Sequence, residues 1–413
     1  MPVEEETVRV PDRAPALPAA VRTRLEAGTH SVLIDTRALE RVRDRFDDDQ
    51  ARALGRFLAN AQSPNTLRAY RTDWTAFIAW CLAEERTSLP ADPVDVAVYL
   101  AACAEARTPD GRWALAPASI ERRAAAIAAV HGAHGLESPT RAEVVRLTLR
   151  GIRRTRRARP RRKDPVVLAT LESLLSHRPP EGHPGGITRR RDTVLLLTGF
   201  AGALRRSELA GVTFDDITVR TDPVGGATTL VVELGATKTD QEGRRGHSVA
   251  LPRGRHRHTC PVCALADWAQ VRAAHLGGGA EAVRALLVET PGAPVAPVHR
   301  CGSLTAADLA PLADGTGRPL LVSVSRHGAL GVRAMTGQAV GDVVKRYAAR
   351  AGLDPDDFGG HSLRAGFATQ AALGGAADRE IMRQGRWTNA RTVHDYIRSA
   401  DPLDDNAVTR LGL

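Results

Sequence analysis

The residue types best suited to chemistry in this 413-residue chain lie between His361-Ser362-Leu363-Arg364 and Tyr396, with Trp387 between them. An imidazole transfers protons, and a guanidinium presents a planar fork of donors that matches phosphate oxygens. A phenol forms a covalent intermediate when its neighbours help it lose its proton. Together these groups predict an enzyme that breaks a phosphodiester bond with a tyrosine nucleophile.

Further groups of the same kind lie upstream. Arg205 follows the apolar run Leu195–Leu204, Glu208 lies three residues beyond it, and Lys238 lies between two predicted strands. The chain has three lysines against 54 arginines, which is 57 basic residues minus three. Because an ammonium can release a proton and a guanidinium effectively cannot, a general acid at position 238 has to be a lysine.

The order of these residues resembles that of the tyrosine recombinases, the phage integrase superfamily, and within it the simpler Cre type. The family pattern of Arg, Lys, His-x-x-Arg, His or Trp, and Tyr falls on these residues: Arg205, Lys238, His361, Arg364, Trp387 and Tyr396. The similarity is closest from Ile381 to Arg398, and by pattern it covers residues 56 to 400. It implies a site-specific DNA recombinase (integrase) that cuts and rejoins strands through a 3′-phosphotyrosine intermediate.

The expected roles follow from what phosphodiester exchange needs. Its transition state spreads negative charge over the non-bridging oxygens, which Arg205 and Arg364 are predicted to bind. His361 is the expected acid-base helper of Tyr396, and Lys238 is expected to protonate the departing 5′ hydroxyl.

Trp387 and Glu208 complete the predicted site. Trp387 stands where many integrases have a histidine; it donates one indole N–H but cannot carry a proton. Glu208 is expected to orient Arg205 from behind the site. The sequence has neither a nucleotide-binding G-x-x-x-x-G-K-[ST] loop nor a carboxylate cluster suited to two metals, so the reaction is expected to need no metal, ATP or other cofactor.

Two other functions remain open from the sequence. A type IB topoisomerase would use the same chemistry as a monomer, although the Cre-like carboxyl-terminal segment and the helical amino-terminal module argue against it. A non-catalytic DNA-binding protein on this scaffold would usually have lost Tyr396 or an arginine, and neither is lost.

Composition favours a nucleic-acid partner. The formal net charge is +10 and the isoelectric point is near 10.1, a balance that favours polyanions such as double-stranded DNA. Five cysteines are few for so long a chain and odd in number, so a disulfide framework is not expected. The amino terminus lacks the pattern of a signal peptide. No apolar run approaches the length needed to span a membrane. A cytoplasmic protein without a membrane partner is therefore expected.

The chain is predicted to be mainly α with two domains. Residues 1–55 are interpreted as a mobile tail, 56–152 as an all-α core-binding (SAM-like) domain, and 153–163 as a basic linker. Residues 164–400 are predicted to form an α+β catalytic domain with a small antiparallel sheet over 217–220, 228–234 and 246–251. No assignment is made for the Gly/Ala/Pro-rich stretch 277–317.

Nine of the 14 residues from Arg150 to Lys163 are basic, the densest charge run in the chain. Laid along a phosphate backbone, such a run releases counterions and closes a clamp around a duplex. The residues predicted to contact DNA are Arg150, Arg153, Arg154, Arg156, Arg157, Arg159, Arg161, Arg162 and Lys163, together with Arg122 and Arg123 on a preceding helix.

The segment 401–413 is expected to dock on a neighbouring subunit, since in the family a terminal segment couples the four subunits of a synaptic assembly. The protein is thus expected to be a homotetramer on its DNA site and a monomer when free.

A possible zinc site is predicted not to form. Cys260 and Cys263 have the C-x-x-C spacing, and His256 and His258 are nearby imidazoles. Ligands two residues apart would form a cramped site, however, and Pro261 has the position of a helix start, so no metal is expected there.

Overall fold

The computed structural model describes residues 47, 49–50, 63–156, 163–222, 226–235, 246–288 and 298–397. The chain divides into two compact units, Met1–Pro160 and Arg161–Leu413. The predicted tail lies almost entirely outside the described residues, as do Lys238, most of the predicted linker and the segment 401–413.

The amino-terminal unit is helical, as predicted. Its described helices are α1 (Pro64–Ala83), α2 (Pro93–Glu105), α3 (Pro117–Ala133) and α4 (Glu143–Thr155), with a 3-10 turn at Pro139–Arg141. α4 ends three residues beyond the predicted end of the domain at 152. The first residues of the predicted linker are therefore helical.

Local sequence explains where these helices begin. Ser63 accepts a hydrogen bond from the Thr66 backbone N–H at 3.2 Å, and Pro64 occupies the first helical turn of α1. Asp92 caps α2 in the same way, accepting from the Val94 N–H at 2.7 Å. The apolar side of α1 then enters a core that is made of buried residues from all four helices.

The carboxyl-terminal unit is also mainly helical. Its described helices are α5 (Leu168–Ser176), α6 (Gly185–Ala201), α7 (Arg206–Gly211), α8 (Pro261–Val288), α9 (Ala306–Leu309), α10 (Gly337–Arg350), α11 (Gly360–Leu373), α12 (Asp378–Gly385) and α13 (Ala390–His394). α6 is buried from Arg191 to Gly199: Arg191 pairs with Asp192, and the apolar residues 194–197 follow them. α8 covers the first part of the unassigned stretch 277–317 and is interrupted by non-helical backbone at Gly278 and Gly279.

The predicted antiparallel sheet is confirmed, with the strand order β1 (Ile217–Thr221), β2 (Thr228–Leu234) and β3 (His247–Pro252). Leu230 pairs with Val219 on one side and Leu251 on the other, so the register places apolar side chains on one buried face. A second, two-stranded sheet of β4 (Val322–Val324) and β5 (Leu330–Ala334) was not predicted.

The helix ends near the predicted chemistry decide which residues are helical. α11 starts at Gly360, so His361 belongs to the helix. α13 ends at His394, so Tyr396 follows the helix and is not part of it. Among the described residues, no helix is both long and apolar enough to cross a membrane.

Gly366 lies where α11 packs closely against the backbone of Val166. A Cβ atom built at Gly366 would lie 1.9 Å from the Val166 carbonyl oxygen, so α11 can contact the backbone of that segment only through glycine. We expect Gly366→Ala to lower the free energy of unfolding of the carboxyl-terminal unit by about 1–3 kcal/mol, measured by urea unfolding. Gly211→Ala is the control, because a Cβ atom at that position would have nothing within 4 Å. Equal unfolding midpoints for the two variants would contradict this account.

Candidate active site

His361 and Arg364 lie three residues apart on α11, so both project from the same side of one helix. His361 is exposed, whereas Arg364 is 1% exposed. Tyr396 reaches the same place from the end of α13. Its carbonyl oxygen accepts a hydrogen bond from the Thr369 hydroxyl of α11 at 3.0 Å, which fixes the backbone of the predicted nucleophile.

The predicted nucleophile and its predicted proton acceptor are in contact. The Tyr396 hydroxyl lies 2.8 Å from Nε2 of His361, and the ring centroids are 5.2 Å apart. Which of the two atoms donates depends on the tautomer of the imidazole. The distance suits direct proton transfer between them.

Trp387 packs against both the predicted nucleophile and the buried arginine. Its ring centroid is 5.3 Å from that of Tyr396, and the Arg364 guanidinium carbon lies 4.1 Å from the centre of the indole. The indole folds back over Gly385, where a Cβ atom would lie 1.8 Å from the ring. The Gly-x-Trp spacing therefore has a steric reason.

A tight turn after α6 supplies acceptors for the buried guanidinium groups. Ala203 has a left-handed backbone with φ of 46°, and its carbonyl oxygen accepts from Arg364 Nη1 at 2.5 Å and from Arg386 Nη2 at 3.3 Å. The Gly202 carbonyl oxygen accepts from Arg386 Nη1 at 3.2 Å. These backbone oxygens fix two side chains that come from other parts of the chain.

Within the described part of the chain, Glu208 is the acidic partner of Arg205 and Arg386. It accepts a hydrogen bond from the Arg205 backbone N–H at 2.9 Å, pairs with the Arg205 guanidinium, and pairs with Arg386 Nη2 at 2.7 Å. Burial opposes ionisation, but the charges of Arg386 and Arg205 and the hydrogen bonds from Arg205 outweigh it and lower the pKa of Glu208. The expectation that Glu208 orients Arg205 agrees with this geometry.

Arg386 was missed by the sequence analysis. Its side chain is 3% exposed and its backbone is left-handed, with φ of 57°. The available signal was its position between the two residues of the Gly-x-Trp motif, but local sequence does not reveal that an arginine is buried.

Positive charge exceeds negative charge in this cluster: Arg205, Arg364 and Arg386 carry three positive charges and Glu208 one negative charge, a balance of +2. Burial, and then the charges of Arg205 and Arg386, lower the pKa of Arg364. Nη2 of Arg364 is buried and has no hydrogen-bond partner among the described residues. An anion would relieve both conditions.

Gln384 connects the motif to the sheet. Its amide nitrogen donates to the Ala201 carbonyl of α6 and to the Ala250 carbonyl of β3, each at 2.9 Å. β3 and β2 are the two strands joined by the connection that contains Lys238. Lys238 itself lies outside the described residues, so its predicted place in the site stays a prediction.

The predicted DNA contacts have different environments in the structure. Arg150, Arg153 and Arg154 are exposed on α4. Lys163 donates to the Asp356 carbonyl oxygen. The other residues of the run beyond Arg156 lie outside the described residues: Arg157, Arg159, Arg161 and Arg162.

Three arginines from the same set make contacts within the amino-terminal unit, and their predicted contacts with DNA stay predictions. Arg156 is 8% exposed and donates to the Ala104 and Leu115 carbonyls at 3.0 and 2.8 Å. Arg123 donates to the Tyr99 hydroxyl at 2.8 Å. Arg122, which remains half exposed, pairs with the buried Asp73 at 2.7 Å.

Comparisons with known proteins agree with this geometry. Residues 320–402 match the phage integrase family. The chain is 30% identical over 396 residues to the integrase/recombinase xerD homolog of Selenomonas ruminantium, a match that covers 92% of this chain and 98% of the relative. It is 26% identical over 352 residues to the recombinase cre of Escherichia phage P1, covering 85% and 88% of the two chains.

A solved structure shares the fold. The XerH site-specific recombinase, in its post-cleavage complex with a palindromic difH substrate, has a TM-score of 0.50 and 15% identity, with 95% of this chain and 93% of that chain covered. The similarity to the Selenomonas relative spans nearly the whole of both proteins. The chain therefore belongs to the phage integrase family of site-specific tyrosine recombinases.

Proposed function

We propose that Tyr396 is the nucleophile that cuts DNA in this protein and that it acts within its own subunit. The observation that carries the proposal is the 2.8 Å contact of its hydroxyl with His361, beside the buried guanidinium of Arg364. The phenolic oxygen attacks the scissile phosphorus while its proton passes to His361. A bond from oxygen to phosphorus forms, and the bond from phosphorus to the 5′ oxygen breaks.

The arginine cluster supplies the electrostatic part of catalysis. Arg364 and Arg205 face a site with excess positive charge, and their donors suit the non-bridging oxygens of the pentavalent transition state. Glu208 holds the Arg205 backbone through a contact at 2.9 Å and is itself paired with Arg386 at 2.7 Å. Trp387 packs against Tyr396, and its indole N–H is the proposed further donor to the scissile phosphate.

Lys238 completes the proposed reaction as the general acid that protonates the 5′ oxygen as it leaves. The product retains the free energy of the phosphodiester in the 3′-phosphotyrosine, so a 5′ hydroxyl from another strand reverses the step and releases the phenol. Since one phosphate ester bond forms for each one that breaks, the proposed reaction requires no ATP and no redox partner.

The partner is double-stranded DNA with a specific recombination site. The exposed Arg150, Arg153 and Arg154 of α4 support a phosphate-binding surface on the amino-terminal unit. We further propose that the free monomer assembles into a homotetramer when two DNA sites synapse. Because its substrate is intracellular DNA, the enzyme is placed in the cytoplasm.

Removing the nucleophilic oxygen tests the central proposal. We expect Tyr396→Phe to abolish the covalent adduct on nicked suicide duplexes made from the DNA that flanks the gene, with DNA binding in a mobility-shift assay retained. Tyr347→Phe is the control, because that ring lies fully buried in the core. An adduct that survives in Tyr396→Phe contradicts the assignment. Adducts accompanied by plasmid relaxation but never by strand exchange between two sites would favour the topoisomerase function.

Substitution by arginine distinguishes proton donation by Lys238 from the effect of its positive charge. We expect Lys238→Arg to slow cleavage about 10²- to 10⁴-fold, because a guanidinium keeps the positive charge but does not release a proton. A substrate with sulfur in place of the scissile 5′ oxygen should restore the rate, since a thiolate leaves without protonation. Lys345→Arg, whose ammonium pairs with Asp356 on the surface, should leave the rate unchanged. A Lys238→Arg defect of equal size on both substrates would rule out the general acid.

The buried ion pair between Glu208 and Arg386 is expected to stabilise the carboxyl-terminal unit. Glu208→Gln leaves the buried Arg386 without its anionic partner, and we expect the carboxyl-terminal unit to lose about 3–5 kcal/mol of unfolding free energy. The control is Glu172→Gln, which removes only a half-exposed contact with His258 and should cost about 0–1 kcal/mol. Chemical denaturation of both variants gives the comparison. Similar losses in the two would show that the buried pair does not hold the cluster together.

A further inference from the structure

Four sulfur and nitrogen ligands converge in the carboxyl-terminal unit, on residues that take no part in the proposed strand-exchange reaction. Cys260 and Cys263 lie at the start of α8, and His299 and Cys301 lie in a segment that returns to the same place nearly forty positions later in sequence. One ligand atom from each of the four lies within 4.8 Å of all the others. All three cysteines are free thiols and at most 1% exposed.

We propose that Cys260, Cys263, His299 and Cys301 bind one structural zinc ion. Three thiolates and one imidazole are a typical closed tetrahedral set for zinc, and soft sulfur ligands disfavour magnesium and calcium. Such a site is distinct from the catalytic residues and concerns the folding of the unit that contains them.

The distances fit a tetrahedron around zinc. Bonds of about 2.3 Å to sulfur and about 2.0–2.1 Å to nitrogen place a sulfur and a nitrogen about 3.5–3.6 Å apart along the tetrahedron edge. Nδ1 of His299 lies 3.5 Å from Cys263 Sγ and 3.6 Å from Cys301 Sγ. Both distances match that edge, and the other pairs of ligand atoms lie within 4.8 Å of one another.

The surroundings orient the ligands as a metal site requires. Nε2 of His299 lies 3.3 Å from the Arg255 carbonyl oxygen, which selects the tautomer with a free Nδ1. The Cys260 sulfur accepts backbone N–H groups from Gly254 at 3.3 Å and from Cys263 at 3.4 Å. Donors aimed at sulfur stabilise the thiolate form that binds a metal.

The local charge also favours a bound cation with thiolates. Three thiolates and a divalent ion carry a net charge of −1, which the basic residues that flank the ligands would balance; these are Arg253, Arg255, Arg257 and Arg300. Without a cation the thiolates repel one another, and zinc removes that conflict.

The ligand set corrects the one that the sequence suggested. Neither His256 nor His258 belongs to the cluster; their rings stack on each other at 5.7 Å, and His258 lies 3.8 Å from Glu172. The two missing ligands come instead from His299 and Cys301. With ligands drawn from two distant segments, the objection that the site would be cramped no longer applies.

The site would join the end of the sheet to the start of α8. Thr228, the first residue of β2, donates its hydroxyl hydrogen to the Cys301 carbonyl oxygen at 2.9 Å. Cys260 follows β3 after one short 3-10 turn. Both lie at the end of the sheet opposite the connection that contains Lys238, so the ion would anchor the base of that hairpin.

Metal content of the full-length protein tests the proposal directly. We expect untagged protein, purified with reduced thiols and without chelator, to contain about one zinc equivalent per chain by mass spectrometry of the metal. Cobalt(II) added to metal-free protein should give the intense visible bands of tetrahedral coordination and the charge-transfer bands of thiolate ligands. Removal of zinc by dipicolinate should lower the Tm of the carboxyl-terminal unit.

Substitutions separate metal binding from loss of fold. Cys263→Ser and Cys301→Ser should lower the zinc content, while Cys81→Ser and Cys103→Ser, at buried cysteines of the other unit, should leave it at about one equivalent. His299→Ala should weaken zinc binding about tenfold or more. His299→Cys should restore it as a four-cysteine site. This rescue is not expected from a residue that acts only by packing.

The proposal is overturned if the wild-type protein with reduced thiols neither contains zinc nor takes up zinc or cobalt. It is also overturned if freshly purified protein contains a Cys260–Cys263 disulfide under the same conditions. Both results are read on wild-type protein, so the outcome does not depend on whether a variant folds.

Discussion

Three guanidinium groups of like charge share one small volume of the carboxyl-terminal unit, and the rest of the site is arranged around their repulsion. The carbonyl oxygens of Gly202 and Ala203 and the carboxylate of Glu208 hold the groups in place. Among the described residues these partners neutralise only part of the charge, because Glu208 supplies one negative charge against three arginines. A phosphodiester could satisfy the remaining positive charge, so the contacts that hold the cluster also suit the transition state of the proposed reaction.

The proposed nucleophile, Tyr396, is connected to that cluster through packing. Trp387 contacts both Arg364 and Tyr396, and Gly385 leaves room for the indole to fold back. Tyr396 follows a short helix, and its carbonyl oxygen is held by Thr369. The phenol therefore contacts His361 from a position beyond the end of α13.

The zinc proposal assigns a separate task to a separate part of the same unit. The catalytic cluster is held by buried charge and backbone oxygens, whereas the base of the three-stranded sheet would be held by metal–sulfur bonds. The two regions meet through β3, since Gln384 donates to the Ala250 carbonyl of that strand. A rigid sheet base would therefore act on the position of the hairpin that contains Lys238.

The sequence by itself determined the types and order of the reacting groups, because the chemistry of Arg205, His361, Arg364 and Tyr396 is readable from residue type. It also determined the helix starts with local caps, such as Ser63, and the main sheet, because these depend on neighbours close in sequence. Only the tertiary structure decided which charges are buried. The roles of Arg386 and Arg156 and the choice of His299 over His256 all depend on contacts between segments far apart in the chain. The hydrophobic pattern of a single segment does not predict contacts with segments far away in sequence.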